Sequence, residues 1–96
     1  MPDILAQEVV LTNTFSDTVE ELIDVKLLVV HNDEVNTFDW VIESLIEICG
    51  HTEEQAEQLT LIIHFKGKAI VREGTYETLQ PLKTGLTDRG INATIE

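Results

Sequence analysis

Two helical segments with almost no chain between them constrain this fold more than any other feature of the sequence. The first begins near Asn36, a residue type that can cap a helix, with Asp39 in the first turn, where the helix dipole favours negative charge. Its apolar residues recur at helical spacing and form one face: Phe38, Val41, Ile42, Leu45, Ile46 and Cys49. Gly50 ends this helix, and Thr52 with Gln55 makes a capping-box pattern that starts the next. Both helices need a second layer to cover their apolar faces.

Short stretches before and after these helices are typical of strands. Residues 25–30 are almost all aliphatic and end in polar turn residues, which predicts a buried strand. The second helix ends at Gly67, and residues 68–72 are predicted to form a strand after it. Its apolar stripe consists of Ala56, Leu59, Ile62 and Ile63.

The last third of the chain predicts one more helix and one more strand. Thr78 is expected to cap the helix, which would place Pro81 in the first turn, where its missing N–H is harmless. Gly85 weakens this helix by about 1 kcal/mol relative to alanine, and Gly90 closes it. The residues expected to face inward are Leu79, Leu82 and Leu86. Residues 91–95 alternate in polarity and predict the final strand.

The order of elements over residues 26–96 is therefore β-α-α-β-α-β. We expect an α+β protein, a small two-layer domain with a three-stranded, mainly antiparallel sheet and three helices. Residues 1–25 contain six acidic residues and no lysine or arginine. We expect them to form a separate, acidic and flexible N-terminal arm.

Charge and composition exclude several classes of function. The chain has 96 residues, which fits one domain, and a 43% apolar content that argues against wholesale disorder. Residues 1–64 hold 14 of the 18 acidic residues but only one basic residue, Lys26. Such a field repels phosphate backbones, so we expect no nucleic-acid partner, and it attracts cations such as peptide N-termini. No apolar run is long enough to span a membrane, and a single cysteine fits a cytoplasmic protein.

Polar residues at two separate points could act together. The cluster at residues 31–34, His-Asn-Asp-Glu, follows the first strand, and His64 lies near the end of the second helix. A carboxylate, an amide and an imidazole suit the capture of a small cation such as a free α-amino group. The alternatives are that residues 31–34 form a solvated turn and that His64 is partly buried and satisfied by ordinary hydrogen bonds.

Other chemistry has weaker support. The three histidines lack zinc-site spacing and no cysteine pair is present, so we expect no metal and no cofactor. Cys49 falls on the apolar face of the first helix, which indicates a packed thiol rather than a nucleophile. Trp40 lies off that face and fits the edge of the core and a partner surface equally well.

Four segments carry a resemblance to a known family. They are Val-His-Asn-Asp-Glu at 30–34, Phe-Asp-Trp-Val-Ile-Glu-Ser-Leu at 38–45, Glu-Gln-Ala-Glu-Gln-Leu at 54–59 and His-Phe-Lys-Gly-Lys-Ala at 64–69. Together they resemble the ClpS family, the adaptors that deliver N-end-rule substrates to an AAA+ protease. The resemblance covers about three-quarters of the chain, residues 26–96, and implies a small α/β substrate-binding domain.

The resemblance also implies a site. Asn32, Asp33 and His64 occupy the positions that hold the free α-amino group of a substrate protein. An apolar pocket for the first side chain would be lined by Glu34, Asn36, Phe38, Val41, Thr60, Ile63 and Ile91. The family commonly has Thr-Pro-Met where this chain has Asn-Thr-Phe at 36–38, and often Met where it has Thr60. Because Met is flexible, Phe stiffer and Thr smaller, the preference among Phe, Leu, Tyr and Trp stays open.

The function implied is that of a non-enzymatic, cytoplasmic adaptor, monomeric when free. It would bind a bulky hydrophobic N-terminal residue and deliver its substrate to a Clp AAA+ unfoldase–protease, contacting the unfoldase N-terminal domain. Glu77 matches an acidic contact position of the family, and Lys83 lies one residue from a basic one. One alternative is a regulatory interaction module on the unfoldase without N-terminal residue recognition. Another is a small enzyme with His64 as base and Asp33 as its orienting group.

Overall fold

A computed structural model describes residues 24–96 and confirms the predicted order of elements. The strands are β1 (Lys26–His31), β2 (Lys68–Gly74) and β3 (Ala93–Ile95), and the helices are α1 (Phe38–Cys49), α2 (Glu53–Lys66) and α3 (Tyr76–Asp88). The sheet has the order β2-β1-β3, and both pairings are antiparallel. The α+β prediction, with three strands and three helices, is therefore confirmed. The predicted arm, residues 1–25, falls outside the described residues except for Asp24 and Val25, so it stays a prediction.

β1 is the central strand, and it carries much of the core. Leu28 and Val30 are 0% and 1% exposed and belong to the main apolar cluster with the helices. Val29 is also buried but is not part of that cluster, as expected from the alternation of side chains along a strand. Between Leu28 and Val29 the partner on β2 changes from Arg72 to Ile70, which places a β-bulge in β2. The two layers are thus the sheet and the helices that cover one of its faces.

The helix ends differ from prediction at two N-termini, and the first is that of α1. Thr37, not Asn36, is its N-cap, because the Thr37 hydroxyl accepts a hydrogen bond from the Trp40 N–H at 3.1 Å. Asp39 does lie in the first turn, and Gly50 ends the helix in a left-handed conformation with φ 74°. The predicted capping box of α2 at Thr52 and Gln55 is confirmed.

The start of α3 is the second difference. Thr75 caps this helix by accepting from the Thr78 N–H at 3.2 Å, so Thr78 is the third helical residue rather than the cap. Pro81 consequently lies in the second turn, where it removes the N–H that would bond to the carbonyl of Glu77. The inward residues are as predicted, since Leu79 and Leu86 are fully buried and Leu82 packs against the core.

Gly85 has a packing role that offsets its low helix propensity. A Cβ atom at this position would meet the Cδ1 and Cγ2 atoms of Ile48 at 3.0 Å. The missing side chain therefore lets α3 approach α1 closely at this point.

Strand limits shift by a few residues from those predicted. β1 covers 26–31 instead of 25–30, β2 extends to Gly74, and β3 covers only 93–95. The largest change concerns Ile91, whose N–H bonds to the Leu86 carbonyl at 3.1 Å and so belongs to the end of α3 rather than to the sheet. No helix among residues 24–96 is long and apolar enough to cross a membrane.

Leu45 provides a test of the core. Its side chain is 0% exposed, so Leu45→Ala should lower the free energy of unfolding by about 2–5 kcal/mol. Ile62→Ala is the matched control, because Ile62 is 44% exposed and its truncation should change stability by less than about 0.5 kcal/mol. Urea denaturation of the full chain measures both, and equal losses would contradict the described packing.

Candidate functional site

One cavity of about 360 Å³ opens where the end of β1, the start of α1 and the end of α2 come together. All ten residues predicted for substrate binding line it, although they come from separate parts of the chain. They are Asn32, Asp33, Glu34, Asn36, Phe38, Val41, Thr60, Ile63, His64 and Ile91. The structure therefore brings the predicted polar and apolar residues to one place.

The end of α2 explains how His64 reaches the neighbourhood of Asn32. Gly67 terminates the helix with φ 93°, a left-handed conformation that favours glycine, and its N–H bonds to the Ile63 carbonyl at 2.9 Å. Its own carbonyl accepts from the Asn32 N–H at 2.8 Å. The following residue, Lys68, pairs with His31 across the sheet. The last turn of α2 is thereby held against the residue that follows β1.

Asp33 organises the turn between β1 and α1. Its Oδ1 accepts from the backbone N–H groups of Val35 and Asn36, both at 2.9 Å, and its Oδ2 accepts from the Asn36 side chain at 2.8 Å. Asp33 therefore stabilises a turn, as one of the two sequence-based alternatives predicted. A carboxylate has about four acceptor positions, so three turn bonds leave one free.

The same bonds keep Asp33 charged. The Asn36 backbone N–H is the largest cause that holds the pKa of the Asp33 carboxyl below its usual value, and the Asn36 side chain and the Val35 N–H act in the same direction. Partial burial acts against them and would raise the pKa. The cavity therefore has an ionised carboxylate at its polar end.

Asn36 links both sides of the cavity. Its amide nitrogen donates to Asp33 and also to the Gly90 carbonyl at 2.9 Å. Gly90 immediately precedes Ile91, an apolar wall residue that is 2% exposed. Asn36 lines the cavity as predicted, but its polar end is engaged in this link.

His64 lies between two aromatic rings. Its ring centroid is 4.9 Å from that of Phe38 and 5.0 Å from that of Phe65, and both contacts are edge-on. The residue is exposed, so the alternative of a partly buried histidine is wrong. Ring packing on both sides limits the orientation of the imidazole.

The remaining walls are apolar. Val41 and Ile63 are buried and belong to the main core, so the cavity floor is continuous with it. Thr60 is buried as well, and its hydroxyl donates to the Ala56 carbonyl at 2.7 Å, which leaves no free hydroxyl hydrogen for a ligand. Phe38 is 43% exposed and Glu34 is exposed, which places both near the opening.

Three further residues line the cavity without having been assigned to it: Val30, His31 and Thr37. Strand alternation explains Val30, and the helix cap explains Thr37. His31 belongs to β1, and its Nε2 lies 2.9 Å from the Thr94 hydroxyl and 3.5 Å from the Glu96 carboxylate. No local sequence pattern predicts the contact of His31 with β3, because its partner Thr94 is 63 residues away.

Several other singled-out residues lie away from the cavity. The Cys49 thiol is 2% exposed, and burial raises its pKa, which confirms a packed thiol. His51 holds the α1–α2 loop to the sheet by donating from Nε2 to the Val71 carbonyl at 2.8 Å. Trp40 packs at the edge of the core against Arg89. Its Nε1 donates to the Arg89 carbonyl at 3.0 Å, and the Arg89 guanidinium lies 5.3 Å from the centroid of its ring. No cluster of metal-binding side chains occurs among residues 24–96.

Glu77 and Lys83 both lie on α3 and outside the cavity. Glu77 is exposed in the first turn, and Lys83 is half-buried six residues later. At about 100° per residue they are roughly 120° apart around the helix axis. They therefore point to different sides of α3.

A family model matches this chain over most of its length. The model describes the ATP-dependent Clp protease adaptor protein ClpS, and it covers residues 24–94. The chain therefore belongs to the ClpS family, a family of protease adaptors rather than of proteases.

Individual relatives agree with this family. A Clp protease adapter protein ClpS from Streptomyces avermitilis is 32% identical over 68 residues, which are 71% of this chain and 65% of that protein. The E3 ubiquitin-protein ligase UBR1 of Drosophila melanogaster is 33% identical over 63 residues, which are 66% of this chain but only 4% of the ligase. The matched region thus spans less than two thirds of either relative.

A solved structure supports the fold. ClpS2 of Agrobacterium tumefaciens, bound to L-phenylalaninamide, superimposes with a TM-score of 0.64 at 15% sequence identity. The match covers 75% of this chain and 94% of that one.

Asn36→Ala tests the polar link across the cavity. It removes the side-chain bond to Asp33 but keeps the backbone bond, so the pKa of Asp33 should rise part of the way to its usual value. Stability should fall by about 1–2 kcal/mol at neutral pH, because two side-chain bonds are lost. Carboxyl NMR titration and urea denaturation measure the two effects.

The sign of the pH effect follows from the lowered pKa. The stabilisation from Asp33 is present above its unfolded pKa and is lost as the pH falls through its folded pKa. Asn36→Ala should therefore lose less of its stability than the wild type over this acidic interval. An unchanged pKa of Asp33 in this variant would contradict the described link.

Proposed function

We propose that this chain is an adaptor that binds the free N-terminal residue of substrate proteins, when that residue is bulky and hydrophobic, and delivers them to a Clp AAA+ unfoldase–protease. The observation that carries the proposal is the cavity itself. It joins Asn32, Asp33 and His64 at a polar end to apolar walls that continue into the core. A free N-terminal residue has the same two parts, an ammonium group and an apolar side chain.

The polar end suits an ammonium group. An ammonium has three N–H donors and no acceptor, so it needs acceptors around it. The remaining lone-pair position of Asp33, the side-chain oxygen of Asn32 and a neutral imidazole nitrogen of His64 are such acceptors. The ionised Asp33 adds charge, which makes its hydrogen bond roughly twice as strong as a neutral one.

The apolar end suits a large side chain. Val41, Ile63 and Ile91 are each at most 9% exposed, so their packing fixes the shape of the walls. The half-exposed Phe38 is the most exposed of the apolar wall residues and is stiffer than methionine. We expect Leu and Phe to enter this cavity.

An enzyme that uses His64 as base and Asp33 as its orienting group is less well supported. Such a pair needs a hydrogen bond between base and orienting group. The Asp33 carboxylate instead bonds to Val35 and Asn36, while the His64 ring packs against Phe38 and Phe65. We therefore propose a binding protein without catalytic activity.

Membership of an adaptor family supports the partners in this proposal. They are the N-terminal domain of a Clp unfoldase and proteins with an exposed hydrophobic N-terminal residue. We propose that the free adaptor is a cytoplasmic monomer. Its single cysteine, reduced and buried, is compatible with a reducing compartment.

Peptide titration tests the recognition of the N-terminus. Peptides that begin with Leu or Phe should bind the wild type, and their N-acetylated forms should bind roughly 100-fold more weakly, because acetylation removes the charge and two donors. Asp33→Asn, which keeps the size of the side chain and an acceptor for the turn, should weaken binding of the free peptides by about tenfold. Calorimetry or fluorescence anisotropy gives the affinities.

Asp39→Ala is the matched control. It removes the same charge from an exposed position on α1 that does not line the cavity, so binding should stay within about twofold. Equal binding of free and acetylated peptides would sink the adaptor proposal. Absence of all peptide binding, together with intact binding to the unfoldase N-terminal domain, would favour the regulatory module instead.

A second test concerns the unfoldase. Glu77→Lys and Lys83→Glu reverse the charge of the two proposed contact positions, and each should weaken binding to the unfoldase N-terminal domain by about 3- to 30-fold. Peptide affinity should not change, because neither residue lines the cavity. The exposed Glu73 on β2 offers a control, Glu73→Lys, with the same change of charge. If this control weakened binding to the unfoldase as much as Glu77→Lys, the assigned contact would be wrong.

A further inference from the structure

A second, smaller cavity of about 230 Å³ lies between α1 and α2, beside the one described above. Within residues 24–96 it is lined by Phe38, Ile42, Thr60, Leu61 and one acidic residue, Glu57. Leu61 is 41% exposed and Phe38 is 43% exposed, so this cavity opens to solvent. We call it the α1–α2 groove. Phe38 and Thr60 also line the larger cavity and therefore form a wall that the two cavities share.

Helical spacing explains why apolar side chains meet in this groove. Ile42 follows Phe38 by four residues on α1, so both lie on the same side of that helix. Leu61 follows Glu57 by four residues on α2 and lies one turn further along the same side. Leu61 does not pack in the apolar core of the described domain. Its side chain is therefore free to contact a partner.

The two helices that form the groove are acidic. α1 contains the acidic residues Asp39, Glu43 and Glu47, and α2 contains three more, Glu53, Glu54 and Glu57. Lys66, the last residue of α2, is the only Lys or Arg in either helix. Arg89 pairs with Glu47, and no other of these carboxylates has an ion-pair partner within residues 24–96. An apolar groove thus lies in a surface of uncompensated negative charge.

This charge decides which occupant fits the groove. Residues 1–23 are acidic and contain no Lys, Arg or His, so they would add negative charge to a negative surface. A second copy of the chain would bring a net charge of −12. Repulsion disfavours both, whereas a cationic segment of another protein is attracted to this surface.

We propose that the α1–α2 groove binds a cationic amphipathic helix of a partner protein. A large apolar side chain of that helix enters the groove, and Lys or Arg residues beside its apolar stripe face the carboxylates of α1 and α2. A helix suits this place because it can lie along the groove as a third helix beside two others. The inference goes beyond the proposed function, because the groove lies on the other side of the wall from the proposed ammonium site and needs no free N-terminus.

The test uses a synthetic helix as its probe. The probe is a fluorescently labelled peptide of Leu and Lys, about 15 residues long so that a helix can form, with its Leu residues along one face. Acetylation of its N-terminus removes the amine that the larger cavity would accept. Fluorescence anisotropy measures its affinity for the full chain. A peptide of the same composition with Leu scattered around the helix should bind about tenfold more weakly, and one with Glu in place of Lys more weakly still.

Leu61→Ser and Ile62→Ser are a matched pair of variants. The two residues are neighbours on α2 with similar exposure, 41% and 44%, but of the two only Leu61 lines the groove. Leu61→Ser should weaken binding of the probe about eightfold, as expected if about 50 Å² of apolar surface leaves water. Ile62→Ser should leave the affinity within about twofold. Peptides that begin with Leu or Phe should bind Leu61→Ser as they bind the wild type, because Leu61 does not line the larger cavity.

A second pair of variants tests the charge. Glu57→Gln should weaken binding of the probe by about two- to fivefold at low ionic strength, and by less in about 1 M salt, because Glu57 lines the groove. Glu73→Gln removes the same charge from an exposed position on β2 outside the groove. It should change the affinity by less than Glu57→Gln.

Each outcome has a distinct meaning. Equal losses in Leu61→Ser and Ile62→Ser, or equal binding of the ordered and scattered Leu–Lys peptides, would reduce the effect to general attraction and overturn the proposal. Weaker binding of Leu- or Phe-initiated peptides to Leu61→Ser would make the groove part of the substrate site instead. If the probe binds as expected but these peptides do not bind the wild type, the groove stands and the proposed function fails.

Two further measurements on the free chain test the other occupants. A dimer in sedimentation that dissociates in Leu61→Ser would place a second copy in the groove. Changes in the NMR amide signals of residues 1–23 in the same variant would place the N-terminal segment there. Either result would overturn the proposal, which predicts a monomer and unchanged signals.

Discussion

The hydrogen bond from the Asn32 N–H to the Gly67 carbonyl, 2.8 Å long, is the contact on which the site depends. It closes the end of β1 against the end of α2, two points that are 35 residues apart in sequence. The left-handed conformation of Gly67 makes this possible, because it turns the chain out of α2 and directly into β2, which pairs with β1. Every polar group of the proposed ammonium site lies within three residues of one partner in this bond. The position of His64 relative to Asp33 thus follows from backbone pairing and needs no contact between the two side chains.

The polar end of the cavity shows how one residue can serve both the fold and the site. Asp33 holds the turn before α1, and Asn36 connects that turn to the loop after α3. These bonds fix the carboxylate before any ligand arrives and keep it ionised, so little conformational freedom remains to be lost on binding. A turn aspartate and a binding aspartate are therefore compatible roles for Asp33, although the sequence presents them as alternatives.

Local patterns were sufficient for most of the fold. The Gly50 and Gly67 helix ends and the capping box at Thr52 could be predicted, because each is decided by a few neighbouring residues. The caps at Thr37 and Thr75 could not be separated from Asn36 and Thr78, since all four residues are polar and stand within three positions of a helix start. The Asn36 side chain donates to the Gly90 carbonyl, 54 residues away, and no local sequence pattern predicts that bond.

The site, like the fold, has features that the sequence predicts and features that it does not. The family resemblance predicted ten of the thirteen residues that line the cavity, and the structure brings them together. The contact of His31 with Thr94 and the packing of Phe38 against His64 depend on tertiary structure. The family pattern does not specify these contacts, because they are set by pairing across the sheet and by packing between helices.

The central claim is that one cavity binds an ammonium group and an apolar side chain at the same time. Its most direct test is an NMR titration of the ¹⁵N-labelled full chain with L-phenylalaninamide and with N-acetyl-L-phenylalaninamide. The amine should shift the amide signals of Asn32, Asp33, His64 and Ile91 in a saturable way, and the acetylated compound should leave them unchanged at the same concentration. Identical shifts with both compounds, or shifts confined to residues outside the cavity, would contradict the account.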